Sequence, residues 1–146
     1  MRLAGQGMTE LTRFTRHGGS WVPACARCPR CGTTFFPARV LCPEDLAACQ
    51  LEPLPLGGRL YASTRIELPP LGFAAPLLVG YVDYPDLAVR VFAQLDEDCA
   101  DAGARGSTVY WRMAKVRDDP ATMGVIFSRR GPEPGKPPRG GDDDAV

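Results

Sequence analysis

The cysteines of this chain are clustered, because five of the six lie between positions 25 and 49. Thiolates are good zinc ligands, and a Cys-x-x-Cys turn holds two sulfur atoms about one tetrahedral edge apart. Two overlapping turns of this kind can be drawn through CARCPRCG at 25–32. Cys28 and Cys31 form the better pair. Pro29 fixes the first torsion of their turn, and Gly32 can adopt the positive φ that directs backbone N–H groups toward the sulfurs.

A second turn of the same type begins at Cys42, but Asp45 stands where a matching cysteine would close it. Cys49 can complete four ligands if residues 45–48 form a helical turn, and Cys25 and Asp45 are the other candidates for the fourth position. Four thiolates would close zinc to water and make the site structural. The predicted ligands of a structural Zn²⁺ are Cys28, Cys31, Cys42 and Cys49.

The remaining residues offer little for catalysis. His17 is the only histidine, and two glycines follow it, so the H-x-E signature of zinc deaminases is missing. A Ser-His or Cys-His dyad would depend on the same histidine. Cys99 stands apart from the cluster and is expected to be a free thiol. The sequence therefore predicts no catalytic residue.

Charge and length limit the possible functions. The 146 residues suffice for one modest core. Lys plus Arg and Asp plus Glu number 17 each, so no overall positive field attracts nucleic acid. No stretch resembles a signal peptide or a membrane span. We expect a cytoplasmic protein, and in a reducing cytosol clustered cysteines indicate metal rather than disulfides.

The chain divides into four predicted parts. Residues 1–24 are an N-terminal segment in which residues 9–14 could begin a short helix, capped by Thr9 and ended by Gly18-Gly19. Residues 25–51 contain too few apolar side chains for a core of their own, which is typical of a metal-stapled zinc ribbon. Residues 52–130 form the main domain. Residues 131–146 are rich in Pro, Gly and acidic residues, and a disordered tail is expected.

The main domain has the alternating pattern of β-strands. Apolar and polar residues alternate in RLYASTRIEL, LLVGYVDY, LAVRVFAQL, STVYWRMAKV and TMGVIFSR. Turns are predicted at Pro85-Asp86 and at Asp118-Asp119-Pro120. Five strands of this length fit a small closed barrel, and the count is that of an OB-fold. The predicted fold class is mainly β, with an N-terminal zinc ribbon followed by a five-stranded OB-fold barrel.

Several of these stretches together resemble a known family. Cys28-x-x-Cys31-Gly32, FFPARVLCP at 35–43, Leu51-Glu52 and GGRLYAST resemble zinc-ribbon/OB-fold proteins long filed as a domain of unknown function. The resemblance covers about residues 28–128. The departure from the family pattern is Asp45, where the family usually has its fourth cysteine.

The family accompanies thiolase-like and acyl-CoA hydratase enzymes. The resemblance implies a non-catalytic subunit of a hetero-oligomer, in which a thiolase-fold partner supplies the nucleophilic cysteine and the zinc-ribbon/OB chain helps to hold the CoA ester. Settings of relatives include acetoacetyl-CoA synthesis in archaea, steroid side-chain breakdown and the benzoylsuccinyl-CoA thiolase of anaerobic toluene degradation. A hydratase partner is the alternative implied by the same resemblance.

Two sets of residues are candidates for these contacts. The apolar loop PPLGFAAP at 69–76 is stiffened by proline, so Leu71 and Phe73 are predicted to anchor a partner protein, the alternative being a lid over their own barrel. CoA phosphates need cations, and Arg30 and Arg39 are the predicted CoA contacts because the ribbon fixes their backbone.

A different class of function is single-stranded nucleic-acid binding, which OB barrels also perform. It would require aromatic side chains among cations on the outer strand faces. The available residues are Tyr61, Arg65, Tyr81, Arg90 and Phe92. Together with the neutral net charge, this small set makes nucleic acid the weaker hypothesis.

Overall fold

Ten β-strands form the part of the chain that the structure describes, a computed structural model covering residues 2–3, 13–117 and 122–132. No α-helix occurs in these ranges, and none of their helical turns is long or apolar enough to cross a membrane. The strands are β1 Arg2–Leu3, β2 Arg13–His17, β3 Ser20–Arg27, β4 Thr34–Phe35, β5 Gln50–Pro53, β6 Gly57–Ile66, β7 Leu77–Tyr84, β8 Val89–Leu95, β9 Thr108–Lys115 and β10 Thr122–Ser128.

Strands β6 to β10 close into a barrel in the order β10-β8-β7-β6-β9, and β9 pairs again with β10. All neighbours are antiparallel except β8 and β10, which run parallel. This is the five-stranded Greek-key arrangement of an OB-fold. The predicted mainly β fold is confirmed, with all five barrel strands at the predicted places.

Burial follows the predicted alternation closely in β8. Val89, Val91 and Leu95 are buried while Arg90 and Phe92 are exposed. In β6 the alternation predicts Leu60, Ala62, Thr64, Ile66 and Leu68 on a buried face, but Thr64 and Leu68 are exposed. A bulge between Leu60 and Ala62 changes the register there, and Leu68 lies beyond the end of the strand.

One glycine is required where β7 crosses this bulge. A Cβ atom on Gly80 would collide with the carbonyl oxygen of Ala62 and lie 2.7 Å from a methyl group of Leu95. Glycine therefore permits the close approach of two backbones at the bend of the barrel.

The connections between strands match the predicted turns where the structure describes them. A 3-10 helix at Pro85–Leu87, ended by Ala88 at φ 53, joins β7 and β8. Two further one-turn helices, Glu97–Cys99 and Ala102–Ala104, lie between β8 and β9. The predicted turn at residues 118–120 lies outside the described residues, as do residues 133–146 of the predicted tail.

The N-terminal region differs from the expectation. Phe14 lies in strand β2, which forms a hairpin with β3, so the predicted helix does not extend to this residue; Thr9, its predicted cap, lies outside the described residues. Gly18 and Gly19 both adopt positive φ in the hairpin turn. β3 also pairs with β4 and β5, giving a four-stranded ribbon sheet.

The ribbon sheet and the barrel share a single hydrophobic core. Val22 and Leu54 from the ribbon side belong to the same buried cluster as Leu60 and Trp111 of the barrel. The indole N–H of Trp111 lies 3.2 Å from the carbonyl oxygen of Leu54 and 3.1 Å from that of Pro55. The ribbon is therefore held against the barrel by buried apolar area and by a buried hydrogen-bond donor.

Candidate metal centre

The first cysteine turn has the geometry predicted for a metal-binding loop. The N–H of Cys28 donates to the carbonyl of Thr33 at 2.9 Å, and the N–H of Gly32 donates back to Cys28 at 2.9 Å. Gly32 adopts φ 76, as predicted. This conformation favours glycine because it has no Cβ.

The second turn repeats this pattern. The N–H of Cys42 donates to the carbonyl of Ala47 at 2.9 Å, and the N–H of Leu46 donates back to Cys42 at 2.9 Å. Leu46 adopts φ 60, so it occupies the place that Gly32 has in the first turn. Asp45 in turn occupies the place of Cys31. The two turns are thus structural repeats in which one thiolate has become a carboxylate.

These turns bring four side chains together. One ligand atom from each of Cys28, Cys31, Cys42 and Asp45 lies within 4.8 Å of the others. The sulfurs of Cys31 and Cys42 are 3.8 Å apart, and the sulfur of Cys28 lies 3.5 and 3.6 Å from the two oxygens of Asp45. A tetrahedron with Zn–S near 2.3 Å and Zn–O near 2.1 Å has edges of about 3.8 and about 3.6 Å. The residues therefore fit a Cys₃Asp zinc site.

The carboxylate of Asp45 is held in place by the backbone. The N–H of Ala47 donates to Oδ1 at 2.9 Å, and this hydrogen bond is the main reason that the pKa of Asp45 is below its ordinary value. A carboxylate that stays ionised is a suitable metal ligand. The second oxygen, Oδ2, remains close to the sulfur of Cys28.

The thiols of the group differ in their surroundings. Cys28 and Cys42 are buried, whereas Cys31 is exposed. Hydrogen bonds with the side chain and backbone of Thr33 lower the pKa of Cys31, and burial raises the pKa of Cys42 to about 11. Metal binding requires thiolates, so a cation would have to displace the proton of Cys42.

The structure does not bring Cys49 into the group. The helical turn that would carry it there is replaced by Leu46 in the left-handed region and by a β-bridge between Leu41 and Ala48. The sulfur of Cys49 lies 3.9 Å from the carbonyl oxygen of Ala47. Burial and the nearby Cys28 and Asp45 raise its pKa. Its role as a ligand stays a prediction, and the geometry favours Asp45.

The other two cysteines are core residues. Cys25 lies in β3 with its sulfur 3.6 Å from the carbonyl oxygen of Glu52, and burial raises its pKa. Cys99 is fully buried, and burial raises its pKa to about 12. Both belong to the shared hydrophobic cluster. Buried thiols of this kind are normally unreactive.

The two predicted CoA-contacting arginines are exposed on the ribbon. The guanidinium of Arg39 lies 5.8 Å from the centre of the Phe35 ring. Arg30 belongs to the first cysteine turn, and its charge contributes to the lowered pKa of Asp45. No salt bridge to either arginine occurs among the described residues.

The predicted interface residues have different positions. Leu71 is 96% exposed, whereas Phe73 is half-buried and lines an apolar cavity together with Phe36 and Leu54 of the ribbon side. Phe73 thus covers its own barrel in part, while Leu71 points to solvent. Phe36 packs against the core that the ribbon shares with the barrel.

Two features were not predicted from the sequence. The first is the apolar cavity, which is formed by residues distant in the chain and has no local pattern. The second is the left-handed backbone of Leu46. The repeated spacing Cys-Pro-x-Cys-Gly and Cys-Pro-x-Asp-Leu contained a signal for the latter.

No protein-family model matches the chain. A DUF35 domain-containing scaffold protein of Methanothermobacter thermautotrophicus is 32% identical over 121 residues, which cover 77% of this chain and 87% of the relative. A protein of the same description from Methanocaldococcus jannaschii is 28% identical over 101 residues, 64% of this chain and 70% of the relative.

Two further similarities concern enzyme complexes. Benzoylsuccinyl-CoA thiolase subunit BbsA of Thauera aromatica is 34% identical over 82 residues, 56% of this chain and 52% of that subunit. The solved structure named Ltp2-ChsH2(DUF35) aldolase is similar in fold, with a TM-score of 0.60 and 21% identity over 72% of this chain and 82% of that one. From its identity and coverage with the Methanothermobacter protein, the chain belongs to the DUF35 domain family.

Proposed function

We propose that this chain is a non-catalytic accessory subunit of a thiolase-type complex acting on acyl-CoA, with a structural Zn²⁺ in the Cys₃Asp site. The main support is its similarity to two proteins named as scaffolds and to one named as a thiolase subunit. Its tasks would be to assemble the complex and to help bind the CoA ester. A partner that uses CoA esters would place the complex in the cytoplasm.

Zinc would act by fixing the two cysteine turns to each other. The segment between β3 and β5 contains only the two-residue strand β4, and its other backbone hydrogen bonds lie within each cysteine turn or at the bridge between Leu41 and Ala48. Structural zinc sites supply folding free energy to such segments. The metal would thereby present the ribbon as a rigid surface. The division into residues 1–24, 25–51, 52–130 and 131–146 remains our working proposal for the domains.

The proposed docking surface is the loop between β6 and β7. Leu68 and Leu71 are 92% and 96% exposed, and exposed apolar patches on soluble proteins mark interaction sites. The prolines of the loop reduce the conformational entropy lost when a partner binds. Leu71 would be the side chain that contacts the partner protein, and Phe73 would hold the loop against its own barrel.

The two arginines proposed as CoA contacts, Arg30 and Arg39, have different surroundings. A zinc ion with three thiolates and one carboxylate carries a net charge of about −2, and Arg30 lies where it offsets this charge. The guanidinium of Arg39 lies over the ring of Phe35, and no carboxylate of the described residues forms a salt bridge with it. Arg39 would therefore be the better phosphate ligand of the pair.

The acyl-CoA hydratase alternative gives this chain the same role with a different catalytic partner.

One observation supports the nucleic-acid alternative. The exposed rings of Tyr81 and Phe92 are cross-strand neighbours 5.4 Å apart, so they could stack with bases. However, Arg90 beside them is paired with Asp83 at 2.6 Å, and Arg65 is paired with Glu97 at 2.9 Å. Phosphate groups would have to compete with these carboxylates.

Copurification tests the proposal directly. We expect the tagged full chain, expressed in its source cells, to bring down a larger protein whose sequence identifies it as a thiolase and whose thiolysis activity falls when the chain is removed. A copurified hydratase would favour the alternative. Leu71→Asp should abolish copurification without changing the melting temperature, since Leu71 is exposed, and Arg27→Asp on the ribbon is the matched control. Robust thiolysis by the isolated chain would contradict the proposal.

A further inference from the structure

The barrel wall is incomplete between β8 and β10. These strands pair only at their carboxyl ends, at Gln94 with Ile126 and Leu95 with Phe127. On its other edge, β8 pairs with β7 from Val89 to Gln94. The amino-terminal half of β8 is thus separated from β10 by a seam.

A cavity of about 380 Å³ lies at this seam. Val91 and Ala93 of β8 and Val125 of β10 form its walls, and Phe36 and Phe73 enclose it from the ribbon and from the β6–β7 loop. Apart from Gln94, the described side chains that line it are apolar. Its volume falls in the range of about 300–1,000 Å³ typical of small-molecule sites, which are also mainly apolar with a few polar groups.

Gln94 is the polar group of this cavity. Its Oε1 atom is buried and has no hydrogen-bond partner among the residues that the structure describes. Buried polar atoms in native structures are nearly always satisfied, so each exception needs an explanation. A ligand that donates an N–H or O–H at this point would satisfy the atom.

A second cavity of about 410 Å³ adjoins the first, since Phe73 and Gln94 line both. Its wall includes Lys115 and Arg117. The guanidinium of Arg117 lies 5.5 Å from the centre of the Phe73 ring. The path from the first cavity to the second therefore runs from apolar side chains past a hydrogen-bond acceptor to cations.

We infer that the seam cavity binds the apolar acyl group of an amphipathic anionic ligand, with a hydrogen-bond donor at Gln94 and the anionic group beside Lys115 and Arg117. An acyl-CoA ester has these groups in this order, since amide N–H groups separate its acyl chain from its phosphates. A free fatty acid has the acyl chain and the anion without the amide. The choice of the CoA ester as natural ligand rests on the proposed function.

Calorimetric titration of the zinc-loaded full chain with decanoyl-CoA, decanoate and CoA separates these sources. We expect decanoyl-CoA to bind at least about tenfold more tightly than CoA, because burial of apolar area adds affinity. Ala93→Leu, which fills the cavity, should remove this difference and leave CoA binding unchanged. Gln94→Leu should weaken decanoyl-CoA about fivefold, as expected for one hydrogen bond. Arg27→Ala is the control.

A photoreactive diazirine at the end of the acyl chain gives an independent measurement that needs no variant. It should label peptides containing residues 91–93 or 124–125. The inference is overturned if the label lies elsewhere, if decanoyl-CoA binds no better than CoA, or if its advantage survives Ala93→Leu in a folded variant. Tighter binding of decanoate than of decanoyl-CoA would overturn the ester as ligand. Acyl binding without any copurified enzyme would instead contradict the proposed function and leave the cavity site intact.

Discussion

The sulfur of Cys28 lies 3.5 Å from a carboxylate oxygen of Asp45. This separation is close to the S to O edge of about 3.6 Å in a tetrahedral zinc site. Asp45 reaches the position because its turn repeats the backbone hydrogen bonds of the first cysteine turn. Asp45 thus occupies, in the second turn, the position that Cys31 occupies in the first.

The fourth ligand can be identified by metal content. Asp45→Ala should lower the zinc stoichiometry or weaken zinc binding, because it removes an oxygen of the four-atom group. Cys49→Ala should leave the stoichiometry unchanged. Elemental analysis after dialysis against a competing chelator measures both. If Cys49→Ala loses the metal and Asp45→Ala keeps it, the ligand set predicted from the sequence is right and the geometric assignment is wrong.

Removal of the metal should destabilise the whole chain and not the ribbon alone. Zinc contributes on the order of 10 kcal/mol to folding in small zinc peptides, and the ribbon shares its core with the barrel through Val22 and Leu54. We expect Cys28→Ser, or chelation of the wild type, to lower the melting temperature in one cooperative transition. Scanning calorimetry checks this. If the melting temperature of the barrel stayed unchanged without the metal, the ribbon and the barrel would unfold independently.

The left-handed backbone in both cysteine turns predicts that glycine is more stable than alanine at positions 32 and 46. Leu46 adopts φ 60 and Gly32 adopts φ 76, a region that costs a residue with a Cβ about 1 kcal/mol or more. Leu46→Gly should therefore be about 1 kcal/mol more stable than the matched Leu46→Ala. Gly32→Ala should lose a similar amount. Urea unfolding of the zinc-loaded variants measures these differences, and equal stability of the two Leu46 variants would contradict the left-handed assignment.

The ion pair on the outer barrel face predicts a pH effect. The hydrogen bond from Arg90, at 2.6 Å, is the main reason that the pKa of Asp83 is below its ordinary value. The charged form is thus favoured in the folded state, so the stabilisation is present above the unfolded pKa of about 3.9 and is lost as the pH falls through the lower folded value. For a pair this exposed, it is worth about 1 kcal/mol or less.

Carboxyl-resolved NMR titration tests this pair. We expect Arg90→Gln to raise the pKa of Asp83 toward the ordinary value of an aspartate, because the charged hydrogen-bond donor is lost. Arg65→Gln, on another ion pair of the barrel surface, serves as the control. An unchanged Asp83 titration in Arg90→Gln would mean that the ion pair is not formed in solution.

The two ribbon arginines should respond differently to substitution. Arg39→Ala should weaken CoA binding, whereas Arg30→Ala should mainly affect the metal site, because its charge acts on Asp45. Calorimetric titration with CoA and zinc competition distinguish these effects. Equal loss of CoA affinity in both variants would assign both arginines to the phosphates, and no loss in either would remove the ribbon from the CoA site.

The sequence determined the local features of this protein. The five barrel strands follow from alternating apolar residues, because a strand with one buried face must alternate with period two. The first cysteine turn follows from Cys28, Pro29 and Gly32, whose torsional preferences are independent of distant residues. The family also follows from these local patterns.

Tertiary structure decided what depends on residues far apart in the chain. Phe14 lies in a strand because residues 13–17 pair with β3 across the hairpin, and this pairing overrides the helical preference predicted at Phe14. Asp45 joins the thiolates because packing brings two turns face to face. The seam cavity exists because β8 and β10 pair over only part of their length. Local preferences cannot specify such arrangements, since each requires the burial and hydrogen bonding of segments that meet only in the folded chain.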